Sequence, residues 1–133
     1  MCSAYITKGT EHESPYLKPL LDDTVKIFTI KQVSADAGYL SMDNVQCIED
    51  AGAKPFIMLK KNTNIKNIKM ATSAWSKMIK FCRDRRTIFL DHYHQRSNVE
   101  STFAMLKRKF GFYVRGRLKT TQDKEILFKL VIL

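Results

Sequence analysis

The chain has 133 residues, enough for one domain or part of one, and its 44% hydrophobic and 27% charged residues are typical of a globular protein. Five glycines and three prolines exclude the collagen-like and low-complexity classes. The formal net charge is +10, divided into net −4 over residues 1–53 and net +14 over residues 54–119. A basic field of this size favours nucleic acid as a partner, with a merely solvated basic surface as the alternative.

The cysteines and the hydropathy pattern indicate where the protein works. Cys2, Cys47 and Cys82 have neither a zinc-site spacing nor a disulfide framework, so we expect small buried apolar residues in a reducing compartment. The sequence contains no apolar run near the roughly 18 residues of a membrane span, and its N-terminus lacks the layout of a signal peptide. We therefore expect a soluble cytoplasmic protein with no membrane partner.

In chain order, the first half of the sequence predicts three short strands separated by two helices. Ser14-Pro15 is typical of a helix start, Ser41 of an N-cap and Gly52 of a helix end. The predicted elements are a strand over Ala4–Thr7, an amphipathic helix from Ser14 to about Phe28, a strand over Gln32–Ala35, a turn over Ala37–Tyr39, a helix from Ser41 to Gly52 and a strand over Lys54–Leu59.

The second half of the sequence predicts helices only. They are a helix carrying Trp75, Met78, Ile79 and Cys82, a long helix from Tyr93 to Phe110 closed by Gly111, and a last helix from Thr121, with a loop over residues 60–69 and a basic connector over residues 114–119. The order β-α-β-α-β-α-α-α indicates an α/β layer fold with parallel strands. With a strand at the extreme N-terminus and an uncapped apolar run at the C-terminus, both ends look truncated.

Two features carry candidate chemistry. On a helical wheel at about 100° per residue, Tyr93, Arg96, Glu100 and Lys107 share an arc of roughly 60° beside an apolar stripe. An ordinary surface face with an Arg96–Glu100 ion pair is the alternative. Arg108 and Lys109 fall on other faces, where we expect them to contribute only to the general basic field. Asp36 ends a strand before a glycine turn, where α/β folds place ligands, although a turn-forming Asp is the alternative.

Together the two features resemble a known family. Tyr93-x2-Arg96-x3-Glu100-x6-Lys107 is similar to the Tyr-x2-Arg-x3-Glu-x6-Lys motif of bacterial and archaeal insertion-sequence transposases. The segment Val33 to Tyr39, with Ser41, resembles the strand that holds the second Asp of their Asp-Asp-Glu (DDE) triad, and residues 48–55 also resemble this family. The resemblance extends from about Thr7 to Leu130.

The resemblance implies a ribonuclease-H-like catalytic domain in which three carboxylates hold two divalent metals, Mg²⁺ or Mn²⁺, for DNA cleavage and strand transfer. Carried over, Asp36 and Glu100 are the second and third catalytic and metal-binding carboxylates. Arg96 and Lys107 would then contact DNA phosphates, and Tyr93 the DNA backbone. The expected partner is DNA, as transposon ends and target, at a prokaryotic nucleoid.

The sequence departs from the family at the first Asp, because nothing acidic precedes Glu11, and Glu11 and Glu13 belong to the loop entering the first helix. We therefore expect residues 1–133 to form a single, incomplete catalytic domain that lacks the first carboxylate and does not cleave DNA alone. A bare sheet edge next to Asp36 predicts self-association, as a homo-oligomer or with a complementary N-terminal polypeptide. The alternatives are a non-enzymatic basic DNA-binding module and an inactive remnant.

Overall fold

The computed structural model describes residues 4–7, 11–63, 73–111 and 113–131. Within them, a small parallel sheet packs against helices, so the predicted α/β class is observed. The helices and strands are α1 (Leu17–Val25), β1 (Gln32–Ala35), α2 (Met42–Asp50), β2 (Lys54–Ile57), α3 (Ala74–Asp84), α4 (Arg86–His94), α5 (Ser97–Phe110) and α6 (Lys119–Val131), with single 3₁₀ turns at Ser14–Tyr16 and Ala37–Tyr39.

The unit β1-α2-β2 is the centre of the fold. Its two strands pair in parallel, with Ser34 opposite Phe56, and the connecting helix α2 begins where the Ser41 hydroxyl accepts a hydrogen bond from the Asn44 amide. Beyond its end, Gly52 has a φ of 77°, a conformation that glycine adopts without steric cost. The predicted strand Gln32–Ala35 and the Ser41-capped helix are therefore confirmed.

The core lies between the sheet and helices α2, α3 and α4. Its fully buried side chains include Val45, Ile48, Ile57 and Phe89, each with no exposed surface. Helices α5 and α6 contain no buried residue among those described. The helix that carries Glu100 is therefore positioned by its connection to α4, and not by burial of its own side chains.

The two edges of the sheet differ. The Lys54 amide donates to the Lys31 carbonyl, and in a parallel ladder alternate residues bond the same neighbour, so the backbone groups of Gln32 and Ser34 face away from β2. Within the described residues these groups have no hydrogen-bond partner. On β2, the backbone of Pro55 faces away from β1, towards the outer edge of the sheet. Because proline has no N–H, it cannot donate a hydrogen bond to a further strand there. The edge of β1 is thus the one open to pairing.

Two predicted elements are wrong. Residues Ala4–Thr7 form no strand: they do not pair with the open edge of β1, and the Tyr5 hydroxyl instead donates to Asp23 of α1 at 3.2 Å. The predicted long helix from Tyr93 to Phe110 is divided into α4 and α5 at Gln95 and Arg96. The order observed in the described residues is α-β-α-β-α-α-α-α.

Smaller differences concern element ends. Strand β2 stops at Ile57, two residues before the predicted end, and α1 stops at Val25, which leaves Phe28 53% exposed. Helix α6 begins at Lys119 because the Leu118 carbonyl already accepts from the Thr121 and Gln122 amides. Most of the predicted loop over residues 60–69 lies outside the described residues.

Candidate functional site

The polar face of β1 connects the strand to the end of α4. Alternate residues of a strand point to the same side, so Gln32 and Ser34 share one face. The Ser34 hydroxyl donates to the His92 carbonyl at 3.0 Å. Gln32 accepts from His92 Nδ1 at 2.8 Å and donates to Gln95 Oε1 at 2.6 Å. Asp36 follows Ser34 on the same alternation, so these bonds position its carboxylate relative to the α4–α5 junction.

That junction has the tighter winding of a 3₁₀ helix. The Arg96 amide donates to the Tyr93 carbonyl, and the Val99 amide to the Arg96 carbonyl, both three residues back. At three residues per turn, positions i and i+3 eclipse each other. Arg96 is therefore brought over Tyr93, with its Cζ atom 5.3 Å from the ring centroid.

Asp36, Arg96 and Glu100 line one cleft of about 600 Å³. Arg96 Nη2 lies 2.8 Å from Glu100 Oε1, so the i,i+4 ion pair expected from the sequence is present. Partial burial lowers the pKa of the Arg96 guanidinium, but Tyr93, Glu100 and Asp36 outweigh it and leave that pKa above its ordinary value. The single cation thus interacts with both candidate carboxylates.

The Asp36 carboxylate also has a structural role. Its Oδ1 atom accepts from the Ala37 amide at 2.7 Å, which caps the 3₁₀ turn after β1. The alternative interpretation of Asp36 as a turn-forming residue is therefore correct, and it does not exclude a second role. A carboxylate has further lone pairs for a cation, and Asp36 is exposed.

Tyr93 and Lys107 lie in different surroundings. Tyr93 is 7% exposed and belongs to the core, where it supports Arg96 from below. Lys107 is exposed two turns beyond Glu100 and lines a neighbouring groove of about 660 Å³ with Glu100, Phe103 and Arg108. Glu100 and Phe103 line both hollows, so the groove continues the cleft.

Sequence reasoning missed several residues of this site. Glu13 lines the cleft beside Tyr39. The pKa of the Tyr39 hydroxyl is raised, mainly because the group is partly buried and in addition because the Glu13 carboxylate is near. Arg108, assigned to another face, lines the groove with Lys107. Gln32 and His92 could have been found only from the pairing of β1 with α4, because 60 residues separate them in the chain.

The donor set bears on metal binding. Asp36 and Glu100 provide the hard oxygen ligands that Mg²⁺ and Mn²⁺ prefer, and Mg²⁺ is often held by one or two carboxylates plus waters. Within residues 4–7, 11–63, 73–111 and 113–131, no three His, Cys, Asp or Glu side chains form a group that could hold a metal. The side chains of Asp36 and Glu100 are thus of the ligand type that these metals prefer.

Comparison with known proteins identifies the family. A family model described as the transposase DDE domain matches residues 1–133. The chain belongs to this family. The resemblance based on the Tyr-Arg-Glu-Lys motif and the Asp36 strand is thereby confirmed. A search of curated proteins and a search of solved structures found no match.

Membership of the DDE family has consequences for fold and chemistry. It implies a ribonuclease-H-like fold. The parallel pair β1–β2 and the helices packed on it are compatible with part of such a fold. The family acts in DNA transposition, so its substrate is DNA, and it generally uses divalent metals. In the part of the chain that the structure describes, no helix has the length and apolar character to cross a membrane.

Replacement of Ser34 by alanine tests the contact between β1 and α4. We expect the free energy of unfolding to fall by about 1 kcal/mol, because the partly buried bond to the His92 carbonyl is lost. Urea denaturation measures this value. Ser101→Ala on the exposed face of α5 is the control, and a loss as large as that of Ser34→Ala would contradict the role of the contact.

Proposed function

We propose that this chain forms part of a transposase catalytic domain and supplies two carboxylates, Asp36 and Glu100, to the metal centre that cleaves and joins DNA. The observation that supports the proposal is one cleft lined by Asp36, Arg96 and Glu100, in a chain that belongs to the DDE family. Asp36 follows β1 and Glu100 lies on α5; the Gln32–His92 and Ser34–His92 bonds join β1 to the end of α4, from which α5 continues.

Each side chain then has a defined task. Asp36 and Glu100 would hold Mg²⁺ or Mn²⁺, which supplies activation of the attacking water or 3′-hydroxyl and stabilisation of the leaving oxygen. Arg96 offsets the repulsion between the two carboxylates and can donate to a DNA phosphate. Lys107 extends the positive surface along the groove. Tyr93 packs under the Arg96 guanidinium and limits how far that group can move towards the core. A direct contact of Tyr93 with DNA stays a prediction.

Binding of Mn²⁺ tests the carboxylate pair directly. Asp36→Asn and Glu100→Gln should each weaken Mn²⁺ binding by roughly tenfold or more. Loss of a residue that only orients a metal ligand already costs about tenfold, so loss of a ligand itself should cost at least as much. Arg96→Gln should strengthen binding, because it removes a cation that competes for Glu100. Titration followed by water-proton relaxation or electron paramagnetic resonance measures the affinity.

The control for this titration is Glu49→Gln, which removes a carboxylate on α2 that does not line the cleft. It should leave the affinity unchanged. If Glu49→Gln and Glu100→Gln weaken Mn²⁺ binding equally, the cation responds to general charge, and the assignment of Asp36 and Glu100 is wrong.

A nicking assay tests the chemistry. We expect the chain alone to leave supercoiled plasmid intact in Mg²⁺, because two metals need more carboxylate oxygens than a single Asp–Glu pair provides. The second candidate function, a basic DNA-binding module, predicts the same result: the chain binds DNA and does not cleave it. Robust nicking that disappears in Glu100→Gln would show that the chain is active alone and would overturn this part of the proposal.

The open edge of β1 is where we propose that a further strand joins. Among the described residues nothing pairs with the backbone groups of Gln32 and Ser34 there, and apolar side chains of α1 and α5 flank the edge, including Leu20, Leu21 and Phe103. An added strand would satisfy those groups and cover the apolar surface. A second copy, or a complementary polypeptide that carries the third carboxylate, can provide it. In either form the protein would act at the prokaryotic nucleoid.

Size-exclusion chromatography with light scattering tests this edge. The chain should associate in a concentration-dependent manner, and Phe103→Lys should reduce the association because it puts a charge on the 44%-exposed apolar surface beside the β1 edge. Val25→Lys, on the 41%-exposed Val25 of α1, is the matched control. A sharp monomeric peak at every concentration would contradict self-association through β1.

A further inference from the structure

A third hollow contains the amino ends of both strands. It has a volume of about 630 Å³, and lysines from three separate elements line it: Lys31 before β1, Lys54 at the start of β2, and Lys77 on α3. We call it the lysine cleft. Because parallel strands begin at one end of the sheet and finish at the other, Lys31 and Lys54 lie at the opposite end of β1 from Asp36, and Gln32 between them lines both clefts.

The convergence of the lysines follows from the strand register. Gln32 pairs with Lys54, and the Lys54 amide donates to the Lys31 carbonyl, so the first two lysines are neighbours across the ladder. Among the described residues that line the cleft, Glu49 is the only acid, and it lies 2.7 Å from Lys77 Nζ. Three cations against one carboxylate leave a local positive charge.

The floor of the lysine cleft is aromatic. Phe56 is 3% exposed and stacks with His92, with ring centroids 4.6 Å apart and planes 17° apart. Phe81 meets Phe56 edge-on at 6.2 Å. An apolar floor with cations at the rim suits a ligand that alternates apolar and anionic groups, as the sugars and phosphates of a nucleic-acid strand do.

Further basic side chains are exposed outside the cleft: Lys80, Arg83, Arg85 and Arg86 on the rest of α3 and the start of α4, with Asp84 paired to Arg83. A single small anion needs only one focus of charge, whereas three converging lysines with further cations on the same elements favour a polyanion.

We propose that the lysine cleft binds the phosphate backbone of a DNA strand, at a surface separate from the Asp36–Glu100 cleft. This deepens the proposed function and rests on it only in taking DNA as the partner. Lysine ammonium groups contact phosphates as point charges, and the sugars lie against Phe81 and the neighbouring apolar side chains. The DNA is therefore held at both ends of the sheet.

Salt-dependent DNA binding tests the proposal with two matched triple variants. One removes the cleft lysines (Lys31→Ala/Lys54→Ala/Lys77→Ala), and the other removes three exposed lysines elsewhere (Lys18→Ala/Lys26→Ala/Lys61→Ala). Both lose the same charge, and both break ion pairs, Lys77–Glu49 in one and Lys18–Asp22 and Lys26–Asp23 in the other. Fluorescence anisotropy of a labelled duplex gives the affinity across a range of salt concentrations.

We expect the slope of log affinity against log salt to fall by about 1 for each cleft lysine removed, since each phosphate contact releases counterions. The control variant should keep the wild-type slope. Equal changes in both variants would mean that only the overall charge matters and would overturn the proposal, as would no binding by the wild type at low salt.

A measurement on the unaltered chain removes dependence on the folding of the variants. Bound DNA should protect Lys31, Lys54 and Lys77 from acetylation more than Lys18 and Lys26, as read by mass spectrometry. Equal protection by polyglutamate of matched charge would indicate an acidic peptide site instead. Asp36→Asn and Glu100→Gln should leave this protection intact, so failure of the metal site and failure of the lysine cleft give different results.

Discussion

The arrangement of this protein depends on the contact between one face of β1 and the end of α4. Helix α5 buries none of its described side chains, so the core alone does not place Glu100. The Ser34 hydroxyl and the Gln32 amide instead hold the His92 carbonyl and ring, and the helix changes direction three residues later. Because Asp36 continues the same strand, one set of hydrogen bonds positions both candidate carboxylates. The stacking of His92 on Phe56 anchors this contact to the core.

The same contact explains the winding at Gln95 and Arg96. The His92 carbonyl accepts from the Ser34 hydroxyl and from the Gln95 amide, three residues on. A side chain that inserts into the hydrogen-bond ladder of a helix disturbs its geometry. The chain then tightens to three residues per turn, which stacks Arg96 on Tyr93 and directs its guanidinium to Glu100. The separation of the motif into α4 and α5 is therefore what brings Arg96 into the cleft.

Much of the fold was predictable because its signals are local. Ser41, Gly52 and the alternation around Val33 specify the β1-α2-β2 unit through capping, a positive φ and strand periodicity, and none of these needs a distant partner. The α4–α5 junction was not predictable, because no Pro or Gly marks it and its cause lies about 60 residues away in β1. The prediction of a strand over Ala4–Thr7 was wrong because strand propensity does not specify the partner: these residues lie against α1, where Tyr5 bonds Asp23, and not beside β1.

The site was predictable to a similar extent. Helical periodicity predicted that Arg96 lies near Glu100, and the family motif connected both residues with Asp36. In the structure all three line one cleft. Periodicity could not give the burial of Tyr93, which depends on the packing of α4 against the sheet. Nor could it bring Glu13 into the cleft, because that depends on the Asn44 side chain, which donates to the Ser14 carbonyl and to the Tyr39 carbonyl.

The charges of the two clefts are opposite in kind, and this difference follows from the ends of the strands. At the carboxyl end, the described residues that line the cleft include three carboxylates, Glu13, Asp36 and Glu100, and one cation, Arg96, which is the charge balance that the proposed metal site needs. At the amino end, three lysines and one carboxylate line the lysine cleft, so the cleft has a net positive charge, as the proposed binding of phosphate requires. A phosphodiester needs both: a metal at the reacting phosphate, and fixed cations that bear the charge of phosphates which do not react. The length of β1 lies between Lys31 and Asp36, so one short strand places the two kinds of charge at its two ends.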